Sequence, residues 1–108
     1  MTITKEVTEC ANACSSTAVI CKECASACKA KAGMETCATI CRDCATVCEQ
    51  HAKNLLEGNH TKADLCITTC VACAAECVKF PNMAICVRCA ESCQSCVTAC
   101  KLAEKVKA

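Results

Sequence analysis

The sequence predicts an all-α protein, an antiparallel up-down-up-down four-helix bundle. Three observations carry that expectation. Eighteen of the 108 residues are cysteine, and nearly every gap between neighbouring cysteines is three or four, the spacing that lines one face of an α-helix. Helix breakers are few, two glycines and one proline. They fall at Gly33, Gly58-Asn59 and Pro81-Asn82 and divide the chain into four segments rich in good helix formers. The connections between the segments are short, which favours antiparallel neighbours.

Each helix follows from local signals. The first is expected near 3–32, with a stripe of Cys10, Cys14, Thr17, Cys21, Cys24 and Cys28, and Gly33 as the C′ residue beyond it. The second spans about 35–57. Glu35 puts negative charge in its first turn, Cys37, Cys41, Cys44 and Cys48 form its stripe, and His51 and Leu55 extend it towards Gly58. The third is expected near 61–79, opened by Thr61 with Asp64 three residues later, and carries Cys66, Cys70, Cys73 and Cys77. The fourth spans about 83–106 with Cys86, Cys89, Cys93, Cys96 and Cys100, and its lysine-rich end at 101–107 suits a helix C-terminus. The unit Cys-x3-Cys-x2-Cys-x3-Cys recurs at 37–48, 66–77 and 89–100. That repeat is too short and too seldom used for a solenoid.

Extending the stripes predicts what closes the core. Ile3, Val7, His51, Leu55, Ala63 and Ala103 share one end of an up-down bundle. Met34, Phe80 and Met83 share the other. Within the stripes Thr17 stands where the rhythm asks for a further ligand, so a local gap is expected there. Ile67, Val71, Ala74 and Val78 form a second apolar stripe, offset by one from the cysteines, which suits a helix seam or a subunit interface.

Composition narrows the function. The chain has the length of one domain, residues 1–108. Its formal net charge is +1, which builds no field for nucleic acid or an anionic membrane. No run of ~18 apolar residues could span a bilayer. The opening Met1-Thr2-Ile3-Thr4-Lys5-Glu6 shows no apolar signal region and no twin arginine, which predicts a full product that stays in the cytoplasm. Phe80 is the one aromatic residue, so the core has little large apolar surface to bury and bound metal is the expected source of added stability.

Cysteine at this density means a disulfide scaffold or a metal protein. Helical neighbours three and four apart have Cβ atoms ~5–6 Å apart, against the ~3.5–4.5 Å a disulfide wants. Such pairs suit two sulfurs reaching for one ion. Thiolates select Cu(I), Zn(II) or iron–sulfur clusters. Filling the core with tetrahedral zinc would bury several net negative charges, and Lys22, Arg42 and Arg88 fall on flanking positions rather than on the stripes. A monovalent ion paired with each thiolate leaves the core nearly neutral. Iron–sulfur ligands usually sit on loops, and a thiol enzyme needs one or two activated cysteines rather than many equivalent ones. The reading is therefore many Cu(I) ions and no catalysis. The alternatives are a zinc or general metallothionein-like thiolate buffer and a thiol-redox protein. His51 lies on its stripe and is a candidate ligand at one bundle end, as are Met34 and Met83 at the other. His60, beside a loop asparagine, reads as a solvated surface residue.

The repeated Cys-x3-Cys-x2-Cys-x3-Cys on four helices resembles the cytosolic branch of the bacterial copper storage proteins, over essentially the whole chain. The resemblance implies a four-helix bundle whose core cysteines hold many Cu(I) ions, in an assembly that is commonly tetrameric. It also implies that histidine or methionine near a bundle end helps ions to enter. The expected function is cytosolic storage and sequestration of copper, protecting against its toxicity and supplying it, with ions delivered by a copper chaperone or a small thiol. Capacity should approach one ion per cysteine, on the order of 15–20 per chain.

Overall fold

A computed structural model describes residues 3–106. Four helices form, α1 Lys5–Lys29, α2 Glu35–Leu56, α3 Ala63–Cys77 and α4 Ala84–Val106. Each packs against two neighbours: α1 against α2 and α4, and α3 against α2 and α4, with no close backbone approach across either diagonal among the described residues. The result is the expected four-helix bundle, a rod of 47 × 18 × 17 Å. The thiol stripe on α1, from Cys10 to Cys28, covers eighteen helical steps, or about 27 Å of that length.

The helix ends differ from expectation in ways that local chemistry explains. Thr4 caps α1, accepting a hydrogen bond from the Val7 N–H at 3.1 Å. The helix therefore starts at Lys5, and Ile3, 37% exposed, does not join the plug at that end. At the other end α1 stops at Lys29, so Gly33 lies in the connecting loop rather than at C′, although its φ of 86° still uses glycine's freedom. Gly58 does serve as C′ of α2. Its φ is 77°, its N–H reaches the Leu55 carbonyl at 3.0 Å, and the Asn59 N–H reaches the Asn54 carbonyl at 2.8 Å. Those two bonds are the Schellman pair that closes the orphan carbonyls of a helix end.

Thr61 does not cap α3. Its N–H and hydroxyl both donate to Asn59 Oδ1, at 2.9 and 2.7 Å, in a side-chain turn. The helix begins two residues later, after Lys62, with no side-chain cap. It also ends at Cys77, and Val78 beyond it is 57% exposed. At the C-terminus Lys105 supplies the expected positive charge in the last turn of α4, while Lys107 lies outside the described residues.

The core is sulfur and alanine. All eighteen cysteines are buried, joined by Ala11, Ala18, Ala45, Ala52, Ala74 and Ala90. Leu55 is the largest fully buried side chain. Lys22, Arg42 and Arg88 are exposed, and Lys22 pairs with Glu49 across the outside of α1 and α2. Exposed pairs of that kind add little, so the metal-free fold depends on helix packing and on its caps. Replacing Gly58 with alanine forces a Cβ into the left-handed region. The expected outcome is a loss of about 1–2 kcal/mol in the chemical unfolding of the metal-free protein, with the helical content of the folded state unchanged.

Candidate metal centre

Helix periodicity turns every stripe inward, and the antiparallel register brings the stripes together at matching heights. Between α1 and α4, Cys10 lies 3.0 Å from Cys100, Cys14 lies 3.4 Å from Cys96, and Cys21 lies 3.6 Å from Cys89. Between α2 and α3, Cys48 lies 3.5 Å from Cys70 and Cys41 lies 3.6 Å from Cys77. Cys28 and Cys37 meet at 3.5 Å where α1 turns into α2. The contact of Cys14 with Cys66, at 3.9 Å, crosses a diagonal of the bundle. Within a helix some sulfurs four residues apart also meet, as Cys24 and Cys28 and Cys44 and Cys48 do at 3.9 Å. None of the thiols is joined in a disulfide.

These distances set what the core can hold. A metal–thiolate bond of ~2.3 Å places two sulfurs on one ion at up to ~4.6 Å from each other. Sets close to this reach include Cys14, Cys66, Cys96 and Cys100 towards one end, and Cys24, Cys28, Cys37 and Cys86 towards the other, with all ligand atoms of each set within 4.8 Å of one another. At mid-height Cys21, Cys44, Cys73 and Cys93 form a set with one sulfur from each helix.

The thiols are not equivalent as acids. Hydrogen bonding with Cys100 and Cys14 lowers the Cys10 thiol, with His51 adding to the effect. Cys14 is raised in turn by Cys10 and Cys100. Burial pushes Cys86 up to about 11 from an ordinary 9.0, and burial likewise leads the rise at Cys37. A mixed network of this kind favours a core that is mostly protonated until a metal displaces the protons.

His51 is fully buried, and neither ring nitrogen has a hydrogen-bond partner. It forms a set with Cys10, Cys14 and Cys100 within 4.8 Å. Burial opposes its charged form, but Cys10, Cys66 and Glu104 outweigh that and raise its pKa. A buried imidazole without partners carries a desolvation penalty, and a ligand role is one of the few arrangements that relieves it. His60 is not the solvated residue its sequence neighbours suggested. Its side chain is 16% exposed and its Nδ1 pairs with Glu104 Oε2 near that end of the bundle. The loop after Gly58 folds it back onto α4, a long-range arrangement with no signal in the local sequence. Thr17 is buried, and its hydroxyl bonds to Ser92. At the opposite end Met34 is buried and Met83 and Phe80 are half-buried, all packed with the core.

A family model described as copper storage protein matches residues 3–105. The chain belongs to that family. Comparison with curated proteins and with solved structures returned no match. As a copper storage protein it is a metal store and not an enzyme, and its cargo is Cu(I), many ions per chain, in a core of buried cysteine clusters. Among the described residues no helix is long and apolar enough to cross a membrane.

The raised pKa of Cys86 fixes the sign of one pH effect in the metal-free store. Below pH 9.0 folded and unfolded chains both keep this proton and no stability is lost. As the pH climbs from 9.0 through about 11, the unfolded chain ionises while the folded one resists. Stability should fall across that window by on the order of 2 kcal/mol. A thermal unfolding series across this range checks it, and a midpoint that does not move would contradict it.

Proposed function

We propose that the eighteen cysteines, Cys10 through Cys100, are the ligands of the copper store. The observation that carries this reading is the complete burial of all of them in mutual contact, with no lysine or arginine among the buried side chains. Cu(I) is soft and monovalent, so one thiolate per ion leaves the core nearly neutral. Each ion displaces a proton, and the loaded core is more stable than the empty one because ions bind the folded state. His51 completes the ligand array at one end, a role supported by its two unpartnered ring nitrogens. Met34 and Met83 are candidates for the same service at the other end, where their thioethers meet the core.

The finer parts of the reading have their own supports. Eighteen free thiols persist best in a reducing compartment, which favours the cytosolic branch of the family. Such a core takes ions from a carrier rather than from free solution, so a copper chaperone or a small thiol is the donor. One continuous core of thiols and alanines supports a single domain over residues 1–108, whose first and last two residues lie outside the described ones. A homo-oligomer, tetrameric in the pattern of the family, is supported by the outward stripe of α3. There Val71 is 53% and Val78 57% exposed, beside Ala74 and the Val97 side of α4.

Anaerobic titration of the reduced protein with Cu(I) tests the ligand assignment. Uptake should approach one ion per cysteine, on the order of 15–20, and Zn(II) offered in competition should be displaced. Saturation at one or two ions would sink the assignment. For the assembly, Val71→Glu combined with Val78→Glu should shift the mass in solution from the oligomer to the monomer without lowering copper uptake, read by light scattering.

A further inference from the structure

The two ends of the sulfur column differ in donor chemistry. At the Met34 end the side chains beside the cysteines include two thioethers, and Cys24, Cys28, Cys37 and Cys86 form an all-sulfur set. At the other end nitrogen enters the core, where His51 forms a set with Cys10, Cys14 and Cys100. The His60–Glu104 pair adds a second imidazole, and its carboxylate stands one helical turn beyond Cys100. Sulfur donors select Cu(I), whereas nitrogen and oxygen donors suit Cu(II). We propose that the His51 end also takes up copper as Cu(II) and reduces it before storage, with Cys10 and Cys100 supplying the electrons and closing as a disulfide. The inference rests on the cysteines being the ligands of the store. It makes the chain a stoichiometric reductant of its own cargo and not a catalyst.

Geometry singles out this pair of thiols. Cys10 and Cys100 are the closest of the hydrogen-bonded sulfurs, at 3.0 Å, and the next pair, Cys14 and Cys96, lies at 3.4 Å. A disulfide bond is ~2 Å long, so the Cys10 and Cys100 sulfurs need to approach by only about 1 Å. Thiols four residues apart on one helix start from 3.9 to 4.0 Å, and the helix backbone holds their Cβ atoms too far apart for a bond. Cys10 and Cys100 stand on different helices and are free of that restraint.

Position singles them out again. Cys10 is the first thiol of α1 and Cys100 the last of α4, so the pair lies at the outermost level of the column on the His51 side. His51 is fully buried there with both ring nitrogens unpartnered. Its ligand atom lies within 4.8 Å of the Cys10 and Cys100 sulfurs. An ion held by His51 is therefore within reach of both thiols that reduce it. No histidine lies among the buried side chains at the Met34 end.

The electrons balance. Each Cu(II) accepts one electron, so two ions and two thiols give two Cu(I), one Cys10–Cys100 disulfide and two protons. Two S–H bonds break, one S–S bond forms, and the protons leave to solvent. Both Cu(I) ions then pass to the thiols deeper in the core. A low-molecular-mass thiol in excess resets the pair by exchange, leaving as its own disulfide and restoring Cys10 and Cys100.

The test gives metal-free, fully reduced protein two equivalents of Cu(II) in the absence of oxygen. The paramagnetic resonance signal of Cu(II) should vanish, and a Cu(I) chelator should recover both ions. Alkylation followed by tandem mass spectrometry should then find one disulfide per chain, Cys10–Cys100. Cys10→Ser should slow the loss of the Cu(II) signal by on the order of tenfold, with helical content as the check on its fold. Should that variant not fold, the disulfide map of the parent decides. A persistent Cu(II) signal, a first disulfide at another pair, disulfides scattered over the core, or a folded Cys10→Ser protein that reduces Cu(II) at the parent's rate would each overturn the proposal. Any of these in a protein that still takes up Cu(I) to about one ion per cysteine removes only the reductive step. Saturation at one or two Cu(I) ions removes the ligand assignment beneath it.

Discussion

Sulfur must touch sulfur across the axis of the bundle, and the rest of the structure follows from that requirement. A thiol side chain is short, so stripes on four helices meet only if the helices pack closely. The cross-section of 18 × 17 Å reflects this. Buried alanines next to the stripes allow it: Ala11 and Ala18 on α1, Ala45 and Ala52 on α2, each pair seven residues apart. Ala18 and Ala52 line one shallow groove between their helices. A leucine at such a position would hold the backbones apart and open the sulfur contacts beyond the reach of a shared ion.

The same requirement makes the metal-free core unusual. In place of large apolar side chains it buries weakly polar thiols that hydrogen-bond to one another. The thiol network satisfies its own members, and it also ties their acidities together, so that Cys10 is lowered while Cys14 beside it is raised. Stability on loading comes from the cargo, which suits a protein whose interior is its binding site. His51 is the exception in the metal-free state, a buried imidazole with two idle nitrogens at the end of the sulfur column. The His60–Glu104 pair lies over the same region, so that end carries chemistry that the Met34 end lacks.

Much of this was legible in the residues because a single periodicity governs both fold and site. The three-four rhythm that makes Cys37, Cys41, Cys44 and Cys48 one face of a helix also makes them neighbouring ligands. Where local signals compete, the reading from sequence was less secure. Thr61 has the look of a cap, but Asn59 captures its hydroxyl. Gly33 has the look of a helix stop, but α1 ends sooner and the glycine serves the loop. His60 looked solvated because its partner, Glu104, is 44 residues away.

The sequence by itself determined that there are four helices, that their buried faces are thiol, and that those faces suit a soft monovalent ion. Each of these depends on spacing along one chain and on the chemistry of one side-chain type. Only the tertiary structure decided which sulfurs meet, because contact depends on the antiparallel register between helices. That register places Cys14 against Cys66 across a diagonal, gathers Cys21, Cys44, Cys73 and Cys93 from four helices at mid-height, and sets Thr17 on Ser92. Periodicity orders ligands along a helix, while the offset between helices decides how those ligands are shared.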